Sequence, residues 1–66
     1  MIKVTAYSRG NKSEVFYKND DKVDEIRAKI ISQINNGHVV VLGEGKDILL
    51  NPKHIEAIQI EKVDDD

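Results

Sequence analysis

The sequence predicts an α+β fold: a small antiparallel sheet with one amphipathic helix packed on it, in the order β-β-α-β-β-β. Three observations carry this. Ile2, Val4 and Ala6 alternate with Lys3, Thr5 and Tyr7, the period of a half-buried strand. Val23, Ile26, Ile30, Ile31 and Ile34 recur at helical spacing. From His38, "HVVVL" is followed by further short apolar runs separated by turn residues. A helix with one apolar stripe and strands with one apolar face each need the other for burial.

Taken in order, Ile2 to Tyr7 forms the first strand. "SRGNKS" then supplies glycine, asparagine and serine, which tolerate or stabilise turn backbone. Glu14 to Lys18, rich in aromatic and β-branched side chains, closes a hairpin. In "NDDKVDEIRAKIISQINNG", Asp20 or Asp21 is the expected helix cap. Asp24 and Glu25 sit where the dipole favours acids, and Glu25 with Lys29 is a favourable pair four residues apart. Asn36 and Gly37 stop the helix. "HVVVL", bounded by glycines and too short for a helix, reads as a central strand, and "DILL" as its partner after "GEGK". Pro52 has no N–H to donate, so "NPKHI" reads as a tight or 3₁₀ turn that tucks Ile55 into the core. Ile58 and Ile60, alternating with Gln59 and Glu61, form the last strand. Residues 1–63 are thus one domain and 64–66 an acidic, solubilising tail.

Composition narrows the classes of function. A chain of 66 residues buries only about 60% of its unfolded surface, so it gains from a second source of stability. It has no cysteine, which excludes disulfides, thiolate metal sites and cysteine nucleophiles and leaves self-association. No apolar run approaches the roughly 20 residues of a membrane span, and the N-terminus has no signal-peptide core; a cytoplasmic protein with no membrane partner is expected. Heavy use of lysine, asparagine and isoleucine with little alanine suits an AT-rich bacterial or phage genome. The net charge of −2 is uneven: residues 1–18 carry a surplus of three positive charges, residues 19–66 a surplus of five negative ones. Such asymmetry steers an anion to one end or pairs two copies front to back.

Catalytic signatures fail on spacing. A Walker loop needs glycine where Val40 stands and Ser or Thr where Asp47 stands, and a dinucleotide fingerprint needs glycine where Ile48 stands. "GEGK" is therefore a hairpin turn. His38 and His54 have no partner at metal-ligand spacing, and no nucleophile motif surrounds Ser8, Ser13 or Ser32. No catalytic, cofactor or metal residue is assigned, and a non-enzymatic protein is expected. The strongest candidate for a binding face is Lys3, Tyr7, Arg9, Lys12 and Tyr17 on the N-terminal hairpin, where basic and aromatic side chains interleave as on sheets that bind single-stranded nucleic acid. The pI of about 5.6 argues against that ligand.

At "VVVLGEGKDILLNPKHIEAIQI" the chain resembles the small FlbD-type flagellar regulatory proteins, through Val41, Gly45, Leu50, Asn51, Pro52, Ile55 and Ile58 in an "LNPxxIxxI" pattern. The resemblance covers about a third of the chain, which carries a hairpin and a helix ahead of it. It implies a structural corner and a small bacterial regulatory protein acting by contact. The combined expectation is a homo-oligomer acting through protein–protein contacts, with strand edges such as Lys3 to Tyr7 or Ile58 to Glu61 pairing between subunits. A nucleic acid or an anionic small ligand is the alternative partner.

Overall fold

The computed structural model describes residues 1–18, 20–46 and 48–63; the acidic tail, 64–66, lies outside the described residues. It is an α+β fold in the expected order: β1 (Ile2–Ser8), β2 (Asn11–Tyr17), α1 (Val23–Asn35), β3 (Val40–Leu42), β4 (Ile48–Leu50) and β5 (Ile55–Lys62). The strands divide into a three-stranded antiparallel sheet, β2-β1-β5, and a two-stranded antiparallel ribbon, β3-β4.

Two expectations change here. β1 pairs with β2 on one side and β5 on the other, so Lys3 to Tyr7 is the centre of the sheet and offers no edge. "HVVVL" is not a central strand. Only Val40–Leu42 is extended in the ladder, and it pairs with β4 alone. Sequence separation explains the exchange: β5 returns through a sharp corner to the open side of β1, a position the apolarity of β3 could not reveal.

The first hairpin closes through a two-residue loop. Ser8 pairs with Asn11, and the residues between, Arg9 and Gly10, have φ of 53° and 81°. Positive φ at both positions matches the right-handed twist of the flanking strands, and Gly10 adopts it at no steric cost. This loop sets the register Ile2 to Tyr17, Val4 to Val15 and Ala6 to Ser13, which puts those residues on the inner face.

The helix stops as its sequence suggests. The amide of His38 bonds the carbonyl of Gln33 at 2.9 Å, that of Gly37 bonds Ile34 at 3.1 Å, and Gly37 takes φ of 70°, a Schellman ending. Its start differs. A 3₁₀ turn, Asp20–Lys22, leads into it, and the cap position falls on Lys22, which makes no side-chain cap bond, one or two residues beyond the aspartates expected there. The surface ion pair is Arg27 with Asp24, at 3.0 Å, in place of Glu25 with Lys29.

One core joins both sheets and the helix: Ile2, Val4, Ala6, Ile26, Ile30, Val40 and Leu42 are buried, with Val15, Tyr17, Ile48, Ile55, Ile58 and Ile60 partly buried around them. Ile31 and Ile34, expected in the stripe, are exposed. At about 100° per residue, Ile31 stands about 60° further round the helix than Ile34, and both lie beyond the arc centred on Ile26 and Ile30. Three-residue strands are too short to cover so wide a stripe.

The "NPKHI" corner forms as read. Pro52–His54 is a 3₁₀ turn, with the Asn51 side chain accepting from the Lys53 amide at 2.9 Å and the Asn51 carbonyl accepting from the His54 amide at 3.0 Å. β5 then enters with a bulge: Ala57 pairs with Tyr7 and Ile55 with Ser8, leaving Glu56 without a partner in the ladder. The extra residue restores the phase, so Ile55 and Ile58 both turn inward.

Candidate functional site

The residues singled out on the hairpin do not form one face. Lys3, Thr5 and Tyr7 of β1 face away from the core, flanked by Phe16, Glu14 and Lys12 of β2 and by Glu61, Gln59 and Ala57 of β5. Tyr17 lies opposite Ile2, on the inner side, where its hydroxyl accepts from the Gly43 amide at 2.7 Å. Arg9 leaves the sheet: its Nη2 meets His54 Nε2 at 2.8 Å, and the adjacent Gly10 amide donates to Glu56 at 3.2 Å. The hairpin loop is thus tied to the corner before β5.

The charge on that outer face is largely compensated. Lys3 Nζ lies 3.0 Å from Glu14 and 3.8 Å from Glu61. A hydrogen bond from Lys3, with its charge, holds the Glu14 carboxyl below the usual glutamate range, and the same bond pushes the Lys3 ammonium up. Tyr7 donates to Gln59 at 3.4 Å, and Thr5 is only 2% exposed. Lys12 and Phe16 remain open to solvent.

Two other features stand out, and sequence reasoning pointed to neither. The first is an apolar hollow of about 470 Å³ between the end of α1, β4 and the Asn-Pro corner, lined by Ile34, Val39, Leu49, Leu50 and Pro52. Leu49 is 65% exposed, Val39 51% and Ile34 37%. Leu49 alternates with the partly buried Ile48 and Leu50, so strand geometry alone turns it outward. That alternation, and the excess width of the helix stripe, were the available signals.

The second is a groove of about 610 Å³ between α1 and the β3–β4 turn. Lys22, Lys29 and Gln33 are among the residues on its helix wall, Gly43, Glu44 and Lys46 are on the other, and Tyr17 joins the lining. The "GEGK" segment is a turn, as expected: the Lys46 amide bonds the Gly43 carbonyl at 3.0 Å, with φ of 97° at Gly43 and 57° at Lys46. Its exposed side is nevertheless part of a concavity that the chain's small size did not suggest.

Among the described residues, no group of three or more His, Asp or Glu could hold a metal ion. Among them also, no helix is long and apolar enough to cross a membrane. Comparison with family models, curated proteins and solved structures finds no match to this chain.

Proposed function

We propose that this is a small, non-enzymatic regulatory protein that works through protein–protein contact as a homo-oligomer, and that the hollow at Ile34, Val39 and Leu49 is its contact surface. The observation that carries this reading is Leu49, 65% exposed among other open apolar side chains in one concave area. Contiguous exposed apolar surface of this kind marks interaction sites.

Stability argues in the same direction. The folded chain exposes 4655 Å², and an ordinary interface takes about 800 Å² from each partner, so pairing would cover roughly a sixth of a marginal domain. The outward side of β4 pairs with no strand among the described residues, so its backbone can add to the contact. A two-fold arrangement would place each Leu49 against the partner's hollow. The resemblance to FlbD-type regulators, which act by contact, is consistent with such a role.

Sedimentation velocity over a wide range of protein concentration tests it. The wild-type chain is expected to sediment above its monomer mass of 7.5 kDa, and Leu49→Glu to sediment as a folded monomer. A wild-type monomer at the highest concentration, or unchanged association of the folded Leu49→Glu variant, would end the proposal.

A further inference from the structure

The groove beside "GEGK" has a different chemistry from the hollow, and its charge distribution indicates a ligand. Lys22 and Lys29 are seven residues apart, hence on the same side of the helical segment, and Lys46 stands on the opposite wall. No carboxylate among the described residues lies within 4.0 Å of any of the three ammonium groups. The two acids in the lining offset part of this charge and leave a surplus of one positive charge among the lining residues. Glu44 turns its carboxylate to the Lys18 amide, which donates to it, and Glu25 stands between Lys22 and Lys29 without closing an ion pair. A chain with net charge −2 thus presents, around one concavity, three lysines with no ion-pair partner among the described residues.

Between the lysines the surface is mostly apolar, with Ile26, Ile30, Val41 and the ring of Tyr17 in the lining. The volume of about 610 Å³ falls within the roughly 300–1,000 Å³ typical of small-molecule sites. Two amides of the turn are already engaged, that of Gly43 donating to the Tyr17 hydroxyl and that of Lys46 to the Gly43 carbonyl. Recognition would therefore rest on lysine ammonium groups, which are point charges without the fixed fork of arginine and so accept carboxylate and phosphate heads alike.

We propose that this groove binds a small anionic amphiphile: an apolar chain laid along Ile26, Ile30 and Val41, with its anionic head held by Lys22, Lys29 and Lys46. The groove and the hollow share no lining residue and adjoin only where Val41 pairs with Leu49 across the ribbon; binding in the groove does not depend on self-association.

An NMR titration of the 15N-labelled full chain distinguishes the alternatives, using octanoate and octyl phosphate as probes, with octanol as the uncharged tail and acetate as the head alone. Octanoate and octyl phosphate should shift the Lys29, Gly43 and Lys46 amides saturably, and should do so equally in the Leu49→Glu variant. Octanol and acetate should each bind at least about tenfold more weakly, and Lys29→Gln combined with Lys46→Gln should cause a similar loss without lowering the melting temperature. Because both lysines are exposed, the double variant should fold; Lys22→Gln supplies a second reading if it does not. Equal binding of octanol, shifts centred on Val39 and Leu49, or no saturable shift at millimolar ligand would overturn the proposal.

Discussion

On the outer face of the three-stranded sheet, Lys3 sits between Glu14 and Glu61, and Thr5 beside them is only 2% exposed; on the β3–β4 ribbon, Leu49 is 65% exposed with Val39 and Ile34 open nearby. Both regions bury an apolar inner face. They differ in what covers the other side. The sheet has seven- and eight-residue strands, long enough for polar side chains to form cross-strand pairs that shield one another. The ribbon has three-residue strands and apolar side chains outward as well as inward. A chain this small shields the outer side of one sheet with polar pairs and leaves apolar side chains open on the other.

The difference can be broken most sharply at two leucines. Leu42 is fully buried on β3 and Leu49 is open on β4. Leu42→Ala should cost about 2–5 kcal/mol in urea unfolding. Leu49→Ala should stay within about 0.5 kcal/mol in dilute protein and lose stability relative to wild type only as concentration rises, since association stabilises the folded form by mass action. Equal losses in dilute solution would show that the two regions do not differ as described.

A smaller effect is expected where the regions are joined. Tyr17→Phe removes the acceptor of the Gly43 amide and leaves a partly buried donor unmet, so it should cost about 1–2 kcal/mol by thermal unfolding. An unchanged melting curve would mean that water replaces the hydroxyl at no loss. Asn51→Ala removes the side-chain bond to the Lys53 amide at the corner and should cost about 1 kcal/mol. Self-association should be retained when this variant is measured below its melting temperature, because Ile34, Val39, Leu49 and Pro52 supply the apolar lining of the hollow; loss of association in the folded variant would show that the Asn51 side chain itself is needed for the contact.

The least effect belongs to the exposed ion pairs of the sheet. The Glu14 carboxyl is held below its ordinary value of 4.5, so its contribution is present above that pH and is lost as pH falls through the folded value. Lys3 is raised above 10.5, so its contribution is present below that pH and fades in stronger alkali. Glu14→Gln should therefore flatten the acid limb of a melting-temperature profile slightly and leave the ribbon unaffected. An acid limb identical to wild type would show that the pair is energetically silent.

Much of this architecture could be read from residue order. The alternation of Ile2, Val4 and Ala6, the stripe around Ile26 and Ile30, Gly37 and Pro52 each state a local preference strong enough to survive packing. What could not be read was set by partners distant in sequence. β1 becomes central only because β5 returns to it, and Ile34 is left open only because β3 and β4 are short. Tyr17 is an intermediate case. A two-residue Arg9–Gly10 loop fixes the register, and with it the inward placement of Tyr17 and the outward placement of Phe16, but "SRGNKS" permits other loop lengths. The candidate site was least legible, since the hollow and the groove join segments that sequence does not place together.

The bulge at Glu56 bears on how the chain tolerates changes in length. Elsewhere in β5 the loss of one residue would turn the rest of the strand over, exchanging inward isoleucines for outward polar side chains. At position 56 the ladder already skips a residue. A deletion there would convert the bulge to regular pairing, with Ile55 still opposite Ser8 and Ala57 opposite Tyr7, at the cost of one exposed bond to the Gly10 amide. Homologous chains one residue shorter at this point could therefore keep the same core, the same corner and the same hollow.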